Sequence, residues 1–217
     1  RRPGQGRQRS DSMILCSFNT KTHSLSMISF LRDTYVSIPG YWSDKMNAAY
    51  AYGGMKTLTA TMAANFGVHL DGCVEVDFGG FTNIIDKLGG VDITLTQKEA
   101  DWLNNEQGYS LTAGLNRLTG AQALNYSRIR KLDADAKRAE RQRKVINSII
   151  NSYKNQNPVA MLSLTREILA SGWINTNMSG DEIIDYVTDL FPMLSSAKIK
   201  TARIPVDGTF EYGIVEV

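Results

Sequence analysis

Apolar runs separated by polar turns predict short strands and helices in the first half of the chain. Residues 13–18 and 25–31 are apolar and enclose a polar, turn-like stretch, which predicts a β-hairpin with a longer loop. A strand at residues 73–78, a short helix around residues 81–88 and a strand that begins at Val91 predict a βαβ-like unit.

Helical spacing of apolar residues predicts a helix before this unit. Met55, Leu58, Met62 and Phe66 repeat at helical spacing, and Gly67 fits the position after a helix end. We therefore expect a helix that ends at Gly67, with both methionines in the core.

Loops, several helices and a last strand are predicted for the second half of the chain. Residues 97–117 are polar and are expected to be rich in loops, and a capping-box pattern at residues 119–122 opens a short helix. A long helix is predicted over residues 136–154, another helix begins after Asn157–Pro158, and a last strand covers residues 199–203.

The alternation of strands and helices predicts an α/β fold. We expect a three-layer αβα arrangement, in which a central mixed β-sheet is flanked by helices. The sequence has no internal repeat and no evident interdomain linker, so we predict one domain over residues 1–217. The chain opens on a polar, glycine-rich stretch, and we expect it to be a fragment that begins inside a loop.

The densest positive charge in the chain begins at residues 128–130. Arg128 and Arg130 alternate around Ile129, so an extended backbone would place both guanidinium groups on one face. The helix predicted next continues the pattern. Its apolar stripe, extended backwards, passes through Gln142 and Arg138 and has Arg141 on its flank. Polar side chains therefore occupy the core-facing side of its first turns.

Two interpretations of these arginines remain open. The first is a charged surface helix, capped by Asp133 or Asp135 and carrying salt bridges to those residues and to Glu140. The second is a clamp for phosphate or pyrophosphate, because buried arginine is costly unless paired and the helix N-terminus attracts anions.

A second charged group is predicted at the open end of the hairpin. If the hairpin is centred between Lys21 and Thr22, its register brings Asp11 close to Arg32 and Asp33. These residues form either a cross-strand salt bridge of little energy or part of a site, because sites of α/β proteins lie where the chain leaves the sheet.

Composition excludes several classes of function. The 24 lysines and arginines are balanced by 22 aspartates and glutamates, which argues against a broadly basic, nucleic-acid-binding surface. No cysteine or histidine spacing predicts a metal site, and Cys16 and Cys73 are either a disulfide or, as we favour, two small core residues. No run of residues is long enough to span a bilayer, and no signal peptide is visible.

Nine short motifs together resemble the LytR-CpsA-Psr family. They follow one another in family order over residues 9 to about 150, and the ordered set is far more specific than any one motif. The motifs are residues 9–13, 31–34, 44–50, 53–54, 76–78, 88–92, 118–124, 126–130 and 138–142.

The resemblance implies an enzyme of Gram-positive cell-wall assembly. Members transfer a glycopolymer, such as teichoic acid or capsule, from a polyprenyl-pyrophosphate carrier to a peptidoglycan hydroxyl, which makes a phosphodiester and releases polyprenyl phosphate. The family's catalytic domain lies outside the cell on the cytoplasmic membrane, anchored by an N-terminal helix. We expect that helix to be absent from this chain.

The resemblance also assigns roles to residues. It implies Mg²⁺ held by Asp11, pyrophosphate contacts from four arginines, support from two further residues, and substrate contacts from two more. The arginines are Arg32, Arg128, Arg130 and Arg138, the supporting residues are Arg141 and Gln142, and the last pair is Lys45 and Asn47. The family's upstream Gly-x-Asp-x-Arg motif would place its aspartate just before residue 1. If residues 1–217 were the whole molecule, the metal site would lack one carboxylate, and whether this weakens Mg²⁺ binding stays open.

The residue types suit this chemistry independently of the family. Arginine donates in bidentate fashion to phosphate and does not deprotonate, and Mg²⁺ needs few protein carboxylates because the substrate supplies oxygens. No Ser-His-Asp or Cys-His set is visible, so we expect no covalent enzyme intermediate. Asp33 is a hypothetical general base, and the alternative is an ion pair that orients an arginine.

Two other functions remain open from the sequence. A polyprenyl-pyrophosphate phosphatase or pyrophosphatase would use water as the acceptor in the same site. A non-enzymatic binder of anionic lipid or polymer, or a regulator, would need the arginines without Mg²⁺.

Overall fold

The computed structural model describes residues 8–130, 132, 135–154, 156–194 and 196–213. The chain divides into two compact units. The hairpin unit comprises the described parts of residues 7–69 and 198–217, and the arginine unit comprises residues 70–197. The expectation that residues 1–217 form a single domain stays a prediction.

Helices and strands alternate, as expected. In chain order the described elements are β1 (Met13–Asn19), β2 (Ser24–Phe30), β3 (Tyr35–Val36), β4 (Asp44–Lys45), α1 (Met46–Phe66), β5 (Val74–Val76), α2 (Phe78–Lys87), β6 (Val91–Leu95), α3 (Gln97–Gln107), β7 (Gly114–Leu118), α4 (Gly120–Ser127), α5 (Asp135–Lys154), α6 (Pro158–Ala170), β8 (Ile174–Thr176), α7 (Gly180–Leu194) and β9 (Lys198–Ile204).

The α/β class and a mixed sheet are confirmed. In the hairpin unit, β2 lies between β1, which is antiparallel to it, and β9, which is parallel. Met13 pairs with Phe30 and Asn19 with Ser24, so the hairpin is centred between Lys21 and Thr22 as predicted. Among the described residues, the other strands form the pairs β3–β4, β5–β8 and β6–β7.

Helix α1 confirms the predicted helix and its end. Gly67 adopts the left-handed conformation with φ of 65°, and its N–H donates to the Ala63 carbonyl. The helix begins earlier than the methionine spacing indicated, at Met46, and has a break at Gly54, whose φ is 69°. Of the two methionines expected in the core, Met62 is buried and Met55 is only half-buried.

The arginine unit has one main apolar cluster. Every second residue of β6 is buried, and these side chains pack with residues from α2, α3, α4 and α5. The cluster consists of Ile85, Val91, Ile93, Leu95, Ala100, Leu103, Leu118, Ala123, Tyr126, Ile129 and Val145. It includes Ile129, the residue between Arg128 and Arg130.

Two local predictions for the arginine unit are wrong. Strands β5 and β6 do not pair with each other; β5 is antiparallel to β8 and β6 is antiparallel to β7, so no parallel βαβ unit forms. Residues 97–117 are not mainly loop, because they contain α3 and β7. Helix α3 is polar on most of its surface, but Ala100 and Leu103 are completely buried.

The cysteines and helix lengths bear on two further expectations. Cys16 and Cys73 are free thiols; Cys16 is exposed and Cys73 half-buried, so the core interpretation is wrong for Cys16. None of the helices in the described part of the chain combines the length and apolar character that a bilayer crossing needs.

Candidate phosphate-binding site

The predicted charges at the open end of the hairpin lie close together. Arg32 Nη1 is 3.4 Å from Asp11 Oδ1, and Arg32 Nε donates to Asp33 Oδ2 at 3.2 Å. Lys45 Nζ is 3.2 Å from the other oxygen of Asp33. Met13 pairs with Phe30 at this end of the hairpin. Continuing the same register by two residues places Asp11 opposite Arg32. Together with Asn47 we call these residues the hairpin set.

Asn47 is held at the start of α1 by its backbone. Its N–H donates to the Arg32 carbonyl at 3.0 Å, and its carbonyl accepts from the Ser10 N–H at 3.4 Å. Its side chain is buried, yet Oδ1 has no hydrogen-bond partner among the described residues. A buried acceptor without a partner is costly, and such atoms commonly meet a ligand, ion or water. Asn47 therefore remains a good candidate for substrate contact.

Asp33 is held in its ionised form. Burial acts to raise its pKa, but the hydrogen bond from Lys45 and the positive charge of Arg32 outweigh burial, so the pKa lies below the usual aspartate value. A lowered pKa weakens a general base. The ion pairs therefore favour the alternative from the sequence, in which Asp33 orients Arg32 and Lys45; its role as general base stays a prediction.

Arg128 and Arg130 are both exposed, and Ile129 between them is fully buried. The predicted extended backbone is wrong at Arg128, which ends α4 with φ of −103° and ψ of 0°. The Arg128 guanidinium instead lies over the Phe78 ring, 4.7 Å from its centroid, where cation–π attraction holds it. Burial of Ile129 thus anchors both arginines at the surface.

Arg141, on the first turns of α5, is buried. Its Nε donates to Glu99 Oε1 at 2.7 Å, and its Nη1 donates to the Ile129 carbonyl at 3.4 Å. Burial acts to raise the pKa of Glu99, but the Thr96 N–H and Arg141 outweigh it, so the carboxylate has a lowered pKa and is ionised. Arg141 therefore supports the backbone between Arg128 and Arg130, and its supporting role at the pyrophosphate stays a prediction.

Arg138 and Gln142 lie on the first turns of α5. Arg138 is buried and Gln142 half-buried, as the extended apolar stripe predicted. Glu140 pairs with Lys137 and Lys144 rather than with an arginine in the described ion pairs. Asp133 lies outside the described residues, as does the side chain of Asp135, and the predicted cap falls on them. We call Arg128, Arg130, Arg138, Arg141 and Gln142 the arginine set.

Two residues of this region were not anticipated from the sequence. Glu99 lies 42 positions before its partner Arg141, and Phe78 lies 50 positions before Arg128, so no local pattern joins either pair. The capping box that Thr96 and Glu99 form at the start of α3 was a visible signal for the helix. Nothing in it indicated that the same carboxylate also binds a buried arginine.

Asp11 is the residue most suited to a hard metal ion. Its carboxylate is half exposed and lies beside Arg32. Mg²⁺ is commonly held by one or two carboxylates together with substrate phosphates, so a single aspartate fits such a shared site. In the part of the chain that the structure describes, no three His, Cys, Asp or Glu side chains group as a metal cluster.

The two sets share a chemistry. The hairpin set holds the Arg32 guanidinium between two carboxylates, and the arginine set holds that of Arg128 over the Phe78 ring; cations held in place in this way suit binding of phosphate oxygens. Preorganised cations stabilise the negative charge that develops on a leaving phosphate without having to reorganise.

Named relatives match most of the chain. The "Regulatory protein MsrR" of Staphylococcus aureus strain Mu50 is 34% identical over 210 residues, which are 95% of this chain and 62% of the relative. A Bacillus cereus strain AH820 protein named "Polyisoprenyl-teichoic acid--peptidoglycan teichoic acid transferase TagU" is 34% identical over 94% of this chain and 66% of its own length. The chain thus spans less than two thirds of either protein.

Solved structures share the fold. TagT bound to LIIa-WTA superposes with a TM-score of 0.76 at 31% identity and covers 90% of this chain and 72% of that chain. TagT with bound octaprenyl pyrophosphate lipid gives 0.71 at 30% identity, again over 90% of this chain and 71% of that one. Bacillus subtilis TagV gives 0.76 at 29% identity over 94% and 79%.

A family model also matches the chain. The LytR_cpsA_psr family model matches residues 1–216, which is nearly the whole chain. The motifs, the fold and the relatives agree with this match, and the chain belongs to the LytR-CpsA-Psr family.

Proposed function

We propose that this chain transfers a glycopolymer from a polyprenyl-pyrophosphate carrier to a peptidoglycan hydroxyl. The observation that carries the proposal is the anchoring of Arg128 and Arg130 on either side of Ile129, whose carbonyl accepts from buried Arg141. The names of the TagU relative and of the TagT structures with lipid and teichoic acid ligands support it.

The reaction needs few catalytic groups. The acceptor hydroxyl oxygen attacks the phosphorus that carries the glycopolymer, a new P–O bond forms, and the P–O bond to polyprenyl phosphate breaks. Arg32, Arg128, Arg130 and Arg138 bind the phosphate oxygens and stabilise charge on the leaving group. The hydroxyl proton leaves to a base; Asp33 stays a prediction for that role, although its ion pairs with Arg32 and Lys45 favour an orienting one.

Magnesium belongs to the proposal through Asp11. Its carboxylate would hold the ion together with phosphate oxygens of the donor, and Arg32 would keep the carboxylate in place. When bound, Mg²⁺ supplies charge neutralisation at the pyrophosphate. We further propose that the domain works on the outer face of the cytoplasmic membrane, attached by an N-terminal helix outside this chain.

Product analysis tests the proposal. The purified chain is given a lipid-linked glycopolymer and Mg²⁺, with and without peptidoglycan. We expect polymer attached to peptidoglycan, polyprenyl phosphate as the second product, and little turnover without acceptor. Arg130→Ala should lose this activity, whereas Arg166→Ala, an exposed arginine of α6 in the same unit, should keep it.

Two other results would identify a different function. Equal turnover without peptidoglycan would mean that water is the acceptor, and the chain would be a phosphatase or pyrophosphatase. Lipid binding that depends on the arginines, with no turnover in Mg²⁺ buffer, would mean a binder or regulator, a role that the name of the MsrR relative favours.

A further inference from the structure

Three aromatic side chains of the hairpin unit pack on one another at its surface. The rings of Tyr41 and Tyr52 stack with centroids 4.9 Å apart and an interplanar angle of 23°. Trp42 packs edge-on against both, at 6.4 Å and 5.5 Å. Tyr41 is 44% exposed and Trp42 62% exposed, so these rings are held in position without being buried. We call the three residues the aromatic surface.

Polar groups fix the aromatic surface from one side. The Tyr52 hydroxyl donates to Asp44 Oδ2 at 2.5 Å, and Arg9 Nη2 lies 3.6 Å from the same oxygen. This hydrogen bond raises the pKa of Tyr52, so its hydroxyl keeps the proton that it donates. The Tyr41 hydroxyl donates to the Tyr52 carbonyl at 3.4 Å. Aromatic faces and hydrogen-bonding groups therefore lie side by side.

A short chain of contacts joins the aromatic surface to the hairpin set. Asp44 and Lys45 are the two residues of β4, and Lys45 pairs with Asp33, which binds Arg32. The backbone N–H of Lys45 donates to Asp44 Oδ1 at 2.6 Å, which holds the Asp44 side chain against the Lys45 backbone. The aromatic surface is thus linked through Asp44 and Lys45 to the ion pairs of Asp33.

We propose that Trp42 and Tyr41 stack against the first sugars of the lipid-linked donor. This inference rests on the proposed function, in which a sugar is bonded directly to the pyrophosphate. A sugar ring has an apolar C–H face that packs on an aromatic ring and hydroxyls at its edge that bond to neighbouring polar groups. The aromatic surface offers both kinds of contact, and its Tyr52 hydroxyl bonds to Asp44, the residue next to Lys45.

Other apolar occupants fit this surface less well. A polyprenyl tail has no groups to bond to Asp44 or to the tyrosine hydroxyls. A membrane surface rich in anionic lipid is attracted by clustered cations. Here Arg9 and Lys45 are paired with Asp44 and Asp33, so the local charge is balanced rather than cationic.

Binding of two lipids separates the sugar contact from the phosphate contact. Affinity of the chain is measured for octaprenyl pyrophosphate and for the same lipid bearing one N-acetylhexosamine on the terminal phosphate. We expect the wild-type chain to prefer the sugar-bearing lipid. Trp42→Ala should weaken binding of that lipid by roughly tenfold at most, the size of one aromatic contact, and leave the sugar-free lipid unchanged.

Two more variants keep the experiment decisive. Trp42→Phe preserves a ring and should lose less of the preference than Trp42→Ala. If the sugar contacts Trp42, the change in tryptophan fluorescence that the sugar-bearing lipid causes in the wild-type chain should be absent from this variant. Tyr186→Ala removes an aromatic side chain that is 45% exposed on α7 of the other unit and should change neither affinity.

The possible failures are distinguishable. If Trp42→Ala weakens both lipids equally, or if it removes binding to anionic lipid vesicles without changing the sugar preference, the sugar contact is overturned and the proposed function stands. If the Trp42 variants bind both lipids like the wild-type chain, the sugar contact is likewise overturned and the proposed function stands. If the wild-type chain binds neither lipid, the proposed function fails and this inference fails with it.

Discussion

Arg141 lies buried beside Glu99 and donates to its carboxylate at 2.7 Å. The pair is 3% and 6% exposed, so both charges are largely removed from water. Glu99 also accepts from the N–H of Thr96 at 2.9 Å, and Arg141 reaches the Ile129 carbonyl. One buried ion pair thus joins the start of α3 to the backbone between two exposed arginines.

We expect Glu99→Gln to destabilise the chain by about 3 kcal/mol, because it removes the buried negative charge that binds Arg141 Nε. Glutamine keeps the capping contact, as Gln122 does at the start of α4. Urea unfolding measures the change. The matched control is Glu182→Gln, which alters an exposed capping box at the start of α7 and should cost less than about 1 kcal/mol. Equal losses in both variants would contradict a special role for the pair.

Replacing both partners separates stability from positioning. We expect Glu99→Leu with Arg141→Met to recover most of the stability that either single change loses, because an apolar pair can replace a buried ion pair. Affinity for inorganic pyrophosphate should nevertheless stay at least severalfold weaker than in the wild-type chain, because the Ile129 carbonyl has lost its donor. A double variant that is stable and binds normally would show that the pair only stabilises the fold.

The low pKa of Glu99 predicts acid sensitivity. Because the folded-state pKa lies below the unfolded value of about 4.3, the carboxylate adds stability above that value and loses it as pH falls through the folded pKa. The free energy of unfolding should therefore fall below about pH 4.3. Glu99→Gln should lower stability at pH 7 and flatten this acid decline, whereas an unchanged decline would assign it to other carboxylates.

Asp33 can be tested by comparing KM with kcat. We expect Asp33→Asn to raise the KM for the lipid-linked donor roughly tenfold, since Arg32 and Lys45 lose the carboxylate that orients them, and to lower kcat less. Steady-state kinetics over donor concentration measures both. A large loss of kcat at saturating donor, with KM unchanged, would instead assign Asp33 as the general base.

The sequence predicted the hairpin set better than the arginine set, for a physical reason. Strand side chains have a period of two, and the polar turn centred between Lys21 and Thr22 sets the register, so Asp11 and Arg32 follow from local information. The stripe on α5 likewise predicted the buried position of Arg138. The conformation of Arg128 did not follow, because exposure on both sides of buried Ile129 is compatible with an extended backbone and with a helix end.

The features that the sequence did not predict depend on contacts between residues far apart in the chain. Helix α3 has only a few buried positions, so its periodicity is weak, and the partner of Glu99 lies in a different helix 42 residues later. The aromatic surface was missed for a related reason. Tyr41 and Trp42 follow a turn, and only the fold brings Tyr52 against them.

Removal of divalent ions by a chelator tests whether transfer requires Mg²⁺. We expect EDTA to reduce transfer to a small fraction of its rate and added Mg²⁺ to restore it, because two phosphate groups repel the attacking oxygen unless their charge is neutralised. Asp11→Asn should raise the Mg²⁺ concentration needed for half-maximal rate at least several fold, since a neutral amide is a poorer ligand for this ion. The measurement is the rate of transfer over a series of Mg²⁺ concentrations.

The matched control for Asp11 is Asp92→Asn. Asp92 is an exposed carboxylate that pairs with Arg117 at 2.9 Å, so it loses the same charge in the same kind of ion pair. We expect its Mg²⁺ dependence to equal that of the wild-type chain. An equal shift in both variants would mean that overall charge, not ligation, sets the Mg²⁺ requirement. Full transfer in EDTA would remove Mg²⁺ from the mechanism and leave neutralisation of the pyrophosphate to the arginines.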